Sequence, residues 1–167
     1  MLALAQTPEE VSYKNLSKQE LENLGFTDVK MLNLKNPIPP GELDNAGLIY
    51  VCGGNTFSIL KRLRELNLDQ EIIDLVKEGT IYVGVSAGSI IAGPSIEIAG
   101  WGSEGDQNEV NLTDLTGFNL TNVAVFPHYH EELADEVKEF KKKVAYPVVP
   151  LTNEQLVFIE DNNYQII

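Results

Sequence analysis

Apolar residues in this chain fall into two kinds of spacing. Short continuous runs read as strands: Val29 to Leu34, Leu48 to Cys52, Thr80 to Val83, Val123 to Phe126, Val148-Val149, Leu156 to Ile159 and Tyr164 to Ile167, with the β-branched and aromatic run Thr80 to Val83 read as a buried one. Between them lie stretches with apolar residues at helical spacing. Ile59, Leu60, Leu63 and Leu66 share one face of a helix over Phe57 to Leu66, and Ile72, Ile73 and Val76 mark a second over Asp69 to Lys77. Ser17 to Leu24 reads as a helix capped by Ser17, with Glu20 three residues on and Gly25 as its stop. Glu131 to Lys143 reads as another. Asn36 to Gly41 is a Pro/Gly loop, residues 94 to 119 form a long irregular excursion rich in Gly, Asn, Asp and Ser, and Asp161-Asn162-Asn163 predicts a hairpin turn.

Strands alternating with helices predict an α/β fold with a mainly parallel sheet and a C-terminal β-hairpin, in one domain over residues 1–167. Ligands of such folds bind beyond the C-terminal ends of the strands. Three features stand at strand ends: Gly53-Gly54, Gly84-Val85-Ser86-Ala87-Gly88 and Pro127-His128. The pentapeptide is a G-x-S-x-G sequence between a strand and a helix, the setting of a nucleophile elbow, although an ordinary βα turn has the same composition. A serine needs a base to take its proton. Of the two histidines, His128 directly follows a strand and is favoured over His130, which starts an acidic helix. Candidates to orient the histidine are Asn153, Glu154, Glu160 and Asp161 downstream, and Glu97, Glu104, Asp106, Glu109 and Asp114 upstream. An amide of the Gly53-Gly54-Asn55 turn and that of Ala87 are candidate oxyanion donors, while Asn55 or Thr56 can also cap the following helix.

Composition narrows the field. With 25 acidic and 12 basic residues the net charge is −13, which argues against nucleic-acid binding. The one basic cluster, Lys138 and Lys141 to Lys143, suits the last turn of a helix. Cys52 is the only cysteine, so no intrachain disulfide and no cysteine-based metal site is expected. As a strand-end thiol with nothing nearby to lower its pKa, it is read as buried and inert. The apolar start, Met1 to Gln6, is too short and lacks the basic flank of a signal peptide, and no run approaches a membrane span. A cytoplasmic protein without a cofactor, monomeric or homodimeric, is the expectation.

Ile49 to Thr56, Gly84 to Ser89 and Phe126 to Tyr129 together resemble peptidase E and its bacterial relatives. Trp101-Gly102, Asp114 to Gly117 and Leu151 to Gln155 add to the likeness, which runs from about Leu16 to the C-terminus. The resemblance implies a flavodoxin-like three-layer sandwich related to the class I glutamine amidotransferases. It implies a Ser–His–acid triad of Ser86 and His128, an oxyanion hole at Gly54 and Ala87, and a short peptide substrate. The chain departs from the family in three ways. Asn153 stands where relatives carry Asp or Glu, with Glu154 adjacent. No arginine follows Arg64, although relatives that prefer aspartate use one beyond the histidine motif. A strand and helix that precede this region in the family are expected to be missing, through a late start, a truncated chain or a dimer that fills the gap, and a lost strand would expose a sheet edge. An α/β-hydrolase esterase, which shares the elbow, and a non-catalytic peptide- or metabolite-binding relative are the other readings.

Overall fold

The computed structural model describes residues 1–3, 8–160 and 163–167. Four parallel strands form the first ladder: β1 (Leu2–Ala3), β2 (Leu32–Asn33), β3 (Leu48–Val51) and β4 (Ile81–Gly84), in the order β2-β1-β3-β4. That is the opening of the flavodoxin-like order 2-1-3-4-5. The next strand, β5 (Ala124–Phe126), pairs parallel with β6 (Val148–Pro150) in a separate ladder. The parallel sheet is thus divided in two. The C-terminal hairpin joins β7 (Val157–Glu160) to β8 (Asn163–Ile166), with Ile159 opposite Tyr164. Residues 161 and 162, and with them the expected turn and the candidate acid Asp161, lie outside the described residues, as do Leu4, Ala5 and Gln6.

The helices follow their amphipathic stripes. α2 (Thr56–Glu65) buries Phe57, Ile59, Leu60 and Leu63, and α3 (Leu68–Lys77) buries Leu68 and Ile72. α4 (Ala87–Ile91) starts right after Ser86 and buries Ile90 and Ile91. The helix read over Glu131 to Lys143 opens with a 3-10 turn, Glu131–Leu133, before α5 (Ala134–Lys141) sends Val137 and Phe140 into the same core.

The N-terminal helix differs most from expectation. α1 runs over Pro8–Asn23, starting nine residues before the predicted Ser17. Lys14, Ser17 and Leu21 face inward while Val11, Leu16 and Leu24 are exposed. Two of the inward residues are polar, so apolar spacing cannot mark this stripe. Ser17, read as a cap, is an interior helical residue. The predicted stop is correct: Gly25 adopts φ +99°, and the amides of Gly25 and Phe26 close the helix on the carbonyls of Glu22 and Leu21.

Residues 94 to 119 lack strands but are firmly attached. They carry a 3-10 turn at Glu97–Gly100 and a single antiparallel bridge between Ser95 and Thr116. Arg64 on α2 donates to the carbonyls of Asp114 and Thr116 at 2.6 and 2.7 Å, and Lys61 donates to that of Val110 at 3.0 Å. The excursion is thereby laid over α2, next to the C-terminal ends of the strands. Among the described residues, no helix is long and apolar enough to cross a membrane.

Candidate active site

Strand register places the central side chains. In the first ladder Val51 lies opposite Gly84, so two residues further on Gly53 faces Ser86. A Cβ on Gly53 would stand 3.1 Å from the Cβ of Ser86, so glycine at position 53 leaves the serine its room. In the second ladder Phe126 lies opposite Pro150, and the pairing continues past the strand ends. Leu151 N donates to Phe126 O and Tyr129 N to Leu151 O, both at 2.9 Å. These bonds hold His128 beside the turn that carries Asn153.

Ser86 occupies φ +51°, ψ −113°, a conformation that non-glycine residues rarely adopt and that costs roughly 1–3 kcal/mol. The surrounding bonds fix it. Val85 N donates to Val51 O at 3.0 Å, Ser89 Oγ to Ser86 O at 2.6 Å, and Tyr82 Oη to Gly88 O at 2.7 Å. Burial holds the Tyr82 phenol far above its usual pKa, so it remains a donor. His128 is also in the left-handed region, at φ +59°.

The result is a hydrogen-bonded chain. His128 Nε2 lies 2.8 Å from Ser86 Oγ, and His128 Nδ1 lies 2.7 Å from Asn153 Oδ1. With Oδ1 of Asn153 accepting from Nδ1–H, Nε2 is left free to accept from the serine. Glu154 is in the same turn, its amide donating to Thr152 Oγ1 at 3.4 Å, and among the described residues no hydrogen bond joins it to His128. His130 turns away, with Nε2 3.3 Å from a carboxylate oxygen of Glu104 and Nδ1 3.5 Å from one of Glu132. Glu160 lies on β7, in the hairpin, and Asp114 pairs with Arg64 at 3.3 Å.

Beside Ser86 and His128 is a cleft of about 220 Å³, with Gly54, Thr56, Trp101, Glu104, Asp106 and Glu136 on its walls. Gly54 adopts φ +139°. Ala87 opens α4, where its amide has no intrahelical acceptor. Asn55 does other work: its Oδ1 accepts from Ser58 N at 3.0 Å, capping α2, and its Nδ2 donates to Gln107 O at 2.9 Å. Asp106, one of many candidate acids in the sequence, accepts from Thr56 N at 2.8 Å. These two contacts bind the long excursion to the start of α2. Asn55 next to a strand-end glycine pair signals the cap. Nothing in the sequence signals Asp106, whose partner is 50 residues away. The wall residues Trp101 and Glu136 are joined too: Trp101 Nε1 donates to Glu136 O at 2.9 Å. Cys52 is buried, and burial pushes its thiol up to about 11, away from thiolate chemistry.

Known proteins share this arrangement of sequence and fold. An uncharacterized peptidase of Listeria monocytogenes is 31% identical over 166 residues, covering 93% of this chain and 78% of the relative. Peptidase E of Escherichia coli is 33% identical over 137 residues, covering 78% of this chain and 56% of that protein, so the match spans little more than half of its length. A crystal structure from Listeria monocytogenes EGD-e, assigned as a peptidase E protein, superposes with a TM-score of 0.81 at 30% identity, covering 99% of this chain and 83% of the other. The model of peptidase family S51 matches residues 4–167, nearly the whole chain, and the protein belongs to that family of serine peptidases.

Proposed function

We propose that the protein hydrolyses short peptides, with Ser86 as nucleophile, His128 as general base and Asn153 as the residue that orients it. The observation that carries this reading is the unbroken chain Ser86 Oγ–His128 Nε2, His128 Nδ1–Asn153 Oδ1 at 2.8 and 2.7 Å. Ser86 Oγ attacks the scissile carbonyl as its proton passes to Nε2. The tetrahedral oxyanion is received by the amides of Ala87 and Gly54, donors that need no reorganisation. His128 then returns the proton to the departing amine, and a water activated by the same nitrogen releases the acyl group from Ser86. Asn153 selects the productive tautomer, but its neutral amide stabilises imidazolium less than a carboxylate would, so turnover is expected to be slow.

A fluorophosphonate probe tests the assignment directly. Wild-type protein acquires one covalent adduct at Ser86, and Ser86→Ala and His128→Ala do not. Folded wild-type protein that resists the probe overturns the nucleophile assignment.

A further inference from the structure

Ser86 and Ala87 share one peptide group. Its carbonyl belongs to Ser86, and its N–H is the Ala87 amide that the proposed mechanism aims at the oxyanion. The peptide is planar, so whatever fixes Ser86 O also fixes the direction of that N–H. Ser86 O takes three donors: Ser89 N at 2.9 Å, Ile90 N at 3.2 Å and Ser89 Oγ at 2.6 Å. The two amides make the ordinary bonds of a helical turn. The hydroxyl is an addition, and its bond is the shortest of the three.

A second hydroxyl enters two peptides further along. Tyr82 Oη donates to Gly88 O at 2.7 Å. Gly88 O and Ser89 N belong to the same peptide, so the bonds run in series. Tyr82 O–H meets Gly88 O, Ser89 N–H meets Ser86 O, and Ala87 N–H is left for the oxyanion. A donor on a peptide oxygen draws electron density from the peptide nitrogen, and bonds linked in this way strengthen one another by roughly 10–30% each. The phenol is held to this task from three sides. Tyr82 and Gly84 share a face of β4, and a Cβ at Gly84 would overlap Gly88 O, so glycine there leaves the oxygen to the phenol. Phe118 is buried and meets the Tyr82 ring edge-on, 6.4 Å between centroids. Burial keeps the phenol protonated.

We infer that Tyr82 and Ser89 are positioning residues of the oxyanion site: their hydroxyls aim and polarise the Ala87 amide through the backbone, without touching substrate. This deepens the proposed function and rests on the Ala87 amide as an oxyanion donor. His128 keeps both of its partners, Ser86 and Asn153, whatever happens at the two hydroxyls. They therefore act on the stabilisation of the tetrahedral state and not on proton transfer.

The rate of fluorophosphonate labelling, followed across the titration range of histidine, tests this. The phosphoryl oxygen of the probe takes the oxyanion position as Ser86 attacks. Ser89→Ala and Tyr82→Phe are each expected to label about three- to tenfold more slowly than wild type, well short of the roughly 10²–10³-fold loss from deleting an oxyanion donor outright. The pH midpoint of labelling stays that of wild type, because the base is untouched. Ser89→Thr, which keeps a hydroxyl able to bond back to the preceding turn, labels within about twofold of wild type. Alanine is the better helix former, so a slow Ser89→Ala variant with an undiminished Tm is not slow through unfolding. Either variant labelling as fast as wild type, a shifted midpoint, or a Ser89→Thr as slow as Ser89→Ala overturns the inference and leaves the nucleophile assignment standing. Wild-type protein that never labels overturns both.

Discussion

Gly88 packs directly on the carbonyl of Val51, where a Cβ would overlap the oxygen. The second glycine of the G-x-S-x-G turn is therefore a requirement of packing between α4 and β3, in addition to the turn itself. Gly88→Ala should push α4 off β3 and destabilise the protein by about 1–3 kcal/mol, the usual cost of overpacking. Urea denaturation gives the size of the effect, and loss of fluorophosphonate labelling shows that the elbow has moved. A variant as stable and as reactive as wild type would contradict this account.

Asn153→Asp tests the weakest link of the hydrogen-bonded chain. A carboxylate in place of the amide keeps the acceptor for Nδ1–H and adds charge to stabilise imidazolium. In a Ser-His-Asp triad the reverse change costs about 10⁴-fold in turnover. Here kcat should rise by at least about tenfold with KM little changed. Glu154→Gln should leave kcat near wild type, since Glu154 makes no bond to His128 among the described residues. A gain from neither change and a loss from Glu154→Gln would move the orienting role to Glu154.

Asn55 separates two tasks. Asn55→Asp keeps the cap on Ser58 N but removes the donor to Gln107 O, whereas Asn55→Ala removes both. Loss of the cap costs about 1 kcal/mol, so thermal denaturation should show a lower Tm for the alanine variant than for the aspartate variant. Both should raise KM, because the Nδ2 bond to Gln107 O, one of the ties between the start of α2 and the excursion beside the cleft, is lost in each.

The Cys52 thiol gives a pH signature. Burial raises its pKa from 9.0 to about 11 in the folded chain. The unfolded chain therefore loses this proton first, and folding stability falls with pH between those values while being unaffected by this group below pH 9. Cys52→Ala should flatten that part of the alkaline stability profile. Native protein at pH 8 should react with iodoacetamide far more slowly than protein in denaturant, and equal rates would place the thiol at the surface.

The sequence makes some features plain and hides others for physical reasons. β3, β5 and β6 are apolar runs with buried positions, β4 is an apolar run although its first residue, Ile81, is exposed, and the three strand ends that carry Gly53, Ser86 and His128 follow from βα alternation. The first half of α1 is hidden because its inward stripe holds Lys14 and Ser17 while Val11 and Leu16 face out. The choice between Asn153 and Glu154 depends on how the turn after β6 is phased, a one-residue difference that no periodicity fixes. Asp106 and Glu136 come to the cleft through contacts made by an irregular excursion, and hydrophobic spacing carries no information about those.

The two parallel ladders give the site an unusual dependence. Ser86 issues from β4 in one ladder, whereas His128 and Asn153 issue from β5 and β6 in the other. Among the described residues no strand-to-strand backbone bonds join the ladders, so nucleophile and base meet across a seam closed by side-chain packing and by α4. A small slip along that seam would separate Oγ from Nε2 while both ladders kept their own backbone pairing. Mild denaturant should therefore silence Ser86 before circular dichroism records any loss of secondary structure, which makes the serine's reactivity a gauge of how tightly the two halves are seated.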